Sequence, residues 1–432
     1  MNYLIRIFKT KDLRNRIFFT LFIIFAFRLA AHITVPGVDP KALSDVFGQN
    51  GALSIFSALT GGSMENFSIV MMGLSPYINA SIIVQLMTVA IPKLEAISKE
   101  GEAGRKKINS ITRWLTFPFA FLQSYGMIVL LSTSTHGMEG TFIDPKNPAD
   151  VLPAMITISA GTLFLMWLGE LITEKGIGNG ISMVIFVGIV SAMPGVIGRM
   201  ISDVVDFGAT EKASAFLFFA LVTLALLIMV VLFTEAVRAI PINHTSKVAR
   251  GEKSQLPIRV LQAGMIPIIF AVSMITFPSV LMEFLKNSDH AWVKSFALFW
   301  NSHFNSASPT GEYLLVYFLL ILAFSYFYVS ITFNPDNIAE NLQKRGGFIP
   351  GIRPGKETAH YLGKLSNRMN LWGGSFLGFV ALVPIVFTMF TNLSSSDLII
   401  SGSGLIIVVG VVLELIRQIN SQLVMHDYDK LT

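Results

Sequence analysis

Between Ile17 and Val35 the chain runs 19 residues with one charged side chain, Arg28. A helix rises about 1.5 Å per residue, so a run of this length covers the hydrocarbon core of a bilayer, about 30 Å. Comparable runs recur at roughly 73–92, 112–134, 152–172, 181–198, 214–237, 261–284, 313–333, 372–392 and 398–418. The composition agrees, with 53% hydrophobic and only 14% charged residues, where soluble domains carry about 25% charged. An all-α polytopic membrane protein with ten transmembrane helices is therefore expected, with no room for a sizeable soluble domain. The first run follows a basic start, "MNYLIRIFKTKDLRNR", as a signal peptide would. It is too long for a signal peptide's apolar core and reads as a retained span.

An even number of spans places both termini on one side. The segments sharing that side hold 25 lysines and arginines and the opposite segments six, while acidic residues divide 14 to 13. An asymmetry confined to Lys and Arg is the signature of a cytoplasmic face. Ten spans also divide into five and five, which permits an inverted repeat, with the loop at 199–213 as the hinge between halves.

Several function classes lose support. Without cysteine there is no disulfide or thiolate metal site, and the seven histidines never fall at metal-ligand spacing. "GIGNGIS" (176–182) has the glycines of a phosphate loop but lacks its Lys-Ser/Thr ending, so no nucleotide site is expected. No catalytic residue, cofactor or metal is assigned. Apart from Arg28, ionisable residues near the spans sit at their ends, whereas an ion-coupled transporter would hold them at the midplane.

Two features stay ambiguous on pattern alone. Residues 52–70, "ALSIFSALTGGSMENFSIV", put Leu53, Phe56 and Leu59 on one helical face and end the turn at Gly61 and Gly62. Both an external loop helix and a re-entrant element fit that pattern. Ile78 and Ile82 lie one turn apart in the second span, Ile185 and Ile189 in the fifth, with Ile269 and Ile407 in the seventh and tenth. Such spacing suits ordinary helix packing or lipid contact as well as an apolar constriction.

Six stretches in order, "FSALTGGSMENFSI", "GLSPYINASIIVQL", "KEGEAGRKKI", "ITEKGIGNGISMVIF", "AGMIPIIFA" and "FNPDNIAENLQKRGGFIPGIRPGKET", resemble the SecY family of protein-conducting channels along essentially the whole chain. The resemblance implies two five-helix inverted-repeat halves, 1–200 and 210–432, closed like a clamshell around an hourglass pore. It implies a plug at about 53–67, including Leu53, Ile55, Phe56, Leu59, Gly61 and Gly62, and a pore ring of Ile78, Ile82, Ile185, Ile189, Ile269 and Ile407. A lateral gate is implied between spans two and seven, with Gln85 and Gln262 as its candidate polar residues.

The basic, kinked stretch "QKRGGFIPGIRPGKET" (343–358) has Pro-Gly turns at 350–351 and 354–355 on either side of Arg353. On composition it is a solvated basic loop near anionic lipid. The resemblance implies that Arg353 engages the motor ATPase SecA, and that cytoplasmic loops 238–260 and 334–371 dock ribosomes. Lys344, Arg345, Lys356, Lys247, Arg250 and Lys253 are the accompanying candidate contacts. The first loop departs from the family pattern, being compact, with Pro241 near its start and single basic residues instead of an arginine cluster.

The expected function is then passage of unfolded polypeptide, beginning with a bound signal peptide, across a bacterial plasma membrane, with sideways release of apolar segments into the bilayer. SecE and SecG are the implied small membrane partners. A ten-span secondary transporter and a non-conducting insertase or scaffold are the rival readings.

Overall fold

The computed structural model describes residues 10–36, 38, 63–64, 66–134, 143, 147–207, 210–244, 254–285, 290–304, 309–390 and 402–429. Each of the ten apolar runs falls on a helix: α1 (Lys11–Ala30), α2 (Ser75–Ala90), α4 (Glu102–Ser134), α5 (Pro148–Lys175), α6 (Gly180–Phe207), α7 (Thr210–Glu235), α8 (Ile266–Leu285), α10 (Gly311–Thr332), α12 (Lys356–Phe390) and α13 (Gly402–Asp429). Among the described residues, α5, α7, α10, α12 and α13 are long and apolar enough to cross a membrane unaided. A sixth span is formed if α2 is joined to the short α3 (Pro92–Lys99) across a 105° bend. Pro92 explains the bend. A proline disfavours helical backbone in the residue before it, and Ile91 is extended, with φ −110° and ψ 113°.

The remaining helices are α9 (Ala291–His303), between α8 and α10, and α11 (Pro335–Lys344), between α10 and α12. Asn334 caps α11, accepting a hydrogen bond from the Asn337 amide at 3.1 Å, and Pro335 occupies the first turn, where its missing N–H costs nothing.

The chain is not helical throughout. β1 (Val237–His244), β2 (Ser254–Arg259) and β3 (Gly347–Phe348) form an antiparallel sheet in the order β2-β1-β3. The sheet lies within loops 238–260 and 334–371, and the spans themselves are all helical. The compact first loop is a hairpin, and Pro241 lies inside β1 opposite Gln255. The signal was period two: Ile240 and Ile242 are buried while Ala239 and Pro241 are exposed. These strands pack with α11 and the start of α12 around Ile240, Ile258, Ile349 and Leu362, a small core distinct from the one that joins the spans.

The largest core joins α1, α2, α5, α6, α7, α8, α10, α12 and α13. A second gathers Met64, Phe67, Met71, Met72, Met127, Leu131 and Ile158 beneath the segment leading into α2. Phe67 is fully buried at a positive φ of 43°, a conformation unusual for an aromatic residue. Its carbonyl accepts from the Val35 amide at 2.9 Å and its amide donates to Met64 at 3.0 Å, so the backbone around it is held on both sides.

Candidate functional site

α2, α6, α8 and α13 each present an isoleucine to one apolar cavity of ≈ 80 Å³: Ile78, Ile185, Ile269 and Ile407 all line it. Ile82 and Ile189 are buried in the same core, 4% and 6% exposed, outside the cavity lining. The elements converge for local reasons. Ser75 and Pro76 start α2 beside the largely buried 66–74 segment, and Asn179 accepts from the amides of Ile181 and Ser182, fixing the entry of α6. A water molecule needs about 10–15 Å³. The cavity therefore has room for only a few, and its mostly aliphatic lining gives them few partners. Ser273, Thr276 and Ser403 add hydroxyls to the wall. Spacing within single helices gave no sign of them, because they line the cavity only once α8 and α13 are packed.

Arg28 lies next to this wall, where the cavity-lining Phe27 precedes it. Its Nη1 donates to Ser191 Oγ at 2.8 Å, tying α1 to α6. An arginine inside a span calls for such a partner.

α8 packs against α2 and α4 along one seam, and α6 against α13 along another. Gln85 and Gln262 are not hydrogen-bonded to each other. Gln85 Nε2 donates to Ser81 Oγ at 3.0 Å on its own helix. Gln262 precedes α8, and its Oε1 accepts from Ser366 Oγ of α12 at 2.7 Å. Nearby, Ser325 Oγ donates to Asn370 Oδ1 at 2.7 Å, so the polar contacts here join the start of α8, α10 and α12.

The basic stretch continues from α11 through β3 into α12. Lys344, Arg345, Arg353 and Lys356 are all exposed. Lys344 pairs with Glu340 at 2.7 Å. Gly351 and Gly355, with φ of +82° and +93°, adopt left-handed turns that a side chain would strain, and the Arg353 carbonyl accepts from Thr358 Oγ1 at 2.9 Å. The turn follows directly on β3, which pairs with β1 through Phe348 and Gly347. Lys247, Arg250 and Lys253, like Leu53, Ile55, Phe56, Leu59, Gly61 and Gly62, lie outside the described residues.

Residues 68–416 match the family described as SecY. The chain belongs to the SecY family. Protein translocase subunit SecY 1 of Lactobacillus kefiranofaciens subsp. kefiranofaciens is 40% identical over 98% of this chain and 97% of its own length. Protein translocase subunit SecY of Staphylococcus carnosus (strain TM300) is 37% identical over the same shares. Among solved structures, one described as a protein conducting channel superposes with a TM-score of 0.67, covering 94% of this chain and 92% of the other at 16% identity. Sec61 in the canine ribosome-channel complex gives 0.64, with the same coverage and identity. The SecY fold is shared with these at low identity, and the chain is a multi-pass membrane protein of that family.

Proposed function

We propose that the chain is a protein-conducting channel that passes unfolded polypeptides across the bacterial plasma membrane and releases apolar segments sideways into it. The observation that carries this reading is the meeting of Ile78, Ile185, Ile269 and Ile407 from four helices around one small apolar cavity. Together with Ile82 and Ile189 they form the pore ring. Aliphatic side chains exclude water and ions by dewetting yet deform around a threaded chain. The halves 1–200 and 210–432 close as a clamshell, with the α2–α8 seam as the lateral gate.

No catalytic group is needed to sort substrates. About 18 leucine-like residues gain roughly 5–10 kcal/mol in lipid, and each central lysine or arginine costs about 3 kcal/mol, so the substrate's own sequence selects its route. A signal peptide favours the parted seam by binding it better than the closed one. The plug is assigned to about residues 53–67, of which Met64 and Phe67 are fully buried in the second core.

Lys and Arg asymmetry supports cytoplasmic termini and a cytoplasmic strand layer. On that layer Arg353, flanked by rigid turns, offers a fixed planar cation suited to a carboxylate or phosphate partner. SecA and the ribosome are the proposed sources of push, with SecE and SecG as accompanying small subunits. A solved relative is described in a ribosome-channel complex, which favours the ribosome contact.

The test is a reconstituted bilayer. Replacing the six ring isoleucines with glycine is expected to raise ion leak severalfold, and photo-crosslinkers at Ile82 and Ile269 are expected to capture a stalled translocating chain. A tight bilayer together with absent crosslinks would refute the channel. Arg353→Glu is expected to abolish SecA-driven export while leaving the channel folded, and normal export would remove Arg353 from the motor contact.

A further inference from the structure

α9 begins six residues after α8 ends and stops eight residues before α10 starts. α8 runs away from the strand layer, so α9 sits at the membrane surface opposite that layer. At about 100° per residue its side chains form three strips. Val293, Ala297 and Trp300 recur at i, i+4, i+7. Ala297 is fully buried, and Trp300 Nε1 donates to Ser279 Oγ of α8 at 3.2 Å. Next to this strip, Trp292, Phe296 and Phe299 recur at the same spacing and are 80%, 44% and 52% exposed. Their rings are organised: Trp292 stacks with Phe296 at 6.4 Å and Phe299 with His303 at 4.3 Å. The third strip holds Lys294, Ser295 and Ser302, all exposed, with Leu298, 45% exposed, between them.

An aromatic ribbon beside a polar strip is the arrangement of a helix lying in a membrane interface, where tryptophan in particular partitions. On one side of α9 lies α10, apolar and long enough to cross a membrane, and on the other α8, apolar over Ile266–Thr276, so its ribbon continues an apolar helix surface. That continuity favours lipid as the occupant over a soluble partner or a second copy. The contact with α8 falls at a weak point. Pro278 removes one bond from the α8 ladder, and Ser279, the next residue, donates its hydroxyl to the Ile275 carbonyl at 2.8 Å while accepting from Trp300.

We propose that α9 lies in the headgroup layer opposite the strand layer, with Trp292, Phe296 and Phe299 inserted, and that the Trp300–Ser279 bond tethers the far end of α8 to that surface. The lipid contact requires only that the chain crosses the membrane. Any effect on gating rests on α8 bounding the lateral gate.

The chain has no cysteine, so one introduced thiol carries one spin label. Labels at 292, 294, 296, 299 and 302 in phospholipid vesicles are read for collision with oxygen, which enters lipid, and with a water-soluble nickel chelate. Oxygen is expected to dominate at 292, 296 and 299 and nickel at 294 and 302, a helical period that a misfolded segment would not reproduce. Nickel dominance at all five sites, or shielding of the ribbon from both reagents by protein, overturns the lipid placement. For the tether, a label at Met282→Cys, in the last turn of α8, is expected to gain mobility severalfold in Trp300→Phe. Ser279→Ala removes the same bond from the other side and is expected to match it. An unchanged spectrum in both variants overturns the tether. Neither readout uses channel activity, so a failed gate reading would show separately, as an α2–α8 seam that never parts with α9 still in lipid.

Discussion

Helices α5 and α7 are both apolar enough to cross a membrane, yet half of α5's apolar window is buried in protein and only 17% of α7's is. The difference lies in small and hydroxylic residues. α5 carries Ser159, Gly161, Thr162, Gly169 and Thr173, whereas from Leu217 to Glu235 α7 has no glycine or serine and only Ala220, Thr223, Ala225 and Thr234 of this kind. Small residues let helices approach closely, and a Cβ on Gly161 would overlap the Ile69 carbonyl of the segment entering α2. Apolarity thus says that a helix crosses; small-residue content says which neighbours it can touch.

Four substitutions test this contrast. Leu224→Lys puts a charge on the exposed face of α7, where Leu224 is 54% accessible. If that face meets acyl chains, integration is expected to cost about 3 kcal/mol, read as a loss of alkali-resistant membrane protein. Full integration would mean that the face is covered by something polar. Gly161→Ala should lower the thermal midpoint in detergent by the equivalent of about 2–3 kcal/mol, the upper part of the overpacking range, because a backbone carbonyl cannot move aside cheaply. An unchanged midpoint would show that the close approach relaxes freely. Leu165→Ala, at a fully buried position on the cavity wall, is expected to cost about 2 kcal/mol in the same assay. The low end of the usual range applies because helices separating within lipid do not expose the side chain to water, which leaves mainly the cavity term. Leu221→Ala on α7, 57% exposed, should change stability by less than about 0.5 kcal/mol. A cost equal to that at Leu165 would break the contrast.

Much of this was readable one helix at a time. All ten runs coincide with helices, but α12 begins at Lys356, well before the apolar run at 372, and α4 at Glu102, before 112. Hydropathy marks the lipid-immersed part of a helix and is blind to its polar extension, which ion pairs can support, as Lys106 does with Glu102 at 4.0 Å. α11 could have been found from "NPDN", an N-cap followed by a first-turn proline. The hairpin of β1 and β2 was masked by Pro241, which reads as a breaker until Ile240 and Ile242 are seen alternating with exposed neighbours. Family likeness points to Gln85 and Gln262 as gate polar groups, yet Gln262 bonds to Ser366, a partner 104 residues away that no local pattern reveals.

What the sequence determined by itself was the crossing of the membrane and the helical state of each span. In lipid every backbone amide and carbonyl must find its partner within the segment, so that outcome depends on a local run of about 20 residues. Only the tertiary structure decided that isoleucines from α2, α6, α8 and α13 share one cavity, that Arg28 meets Ser191, and that Trp300 grips α8. Those outcomes depend on which faces approach closely enough to touch. Since lipid contacts an apolar face about as favourably as another helix does, shape and hydrogen bonding choose among faces that hydropathy leaves equal.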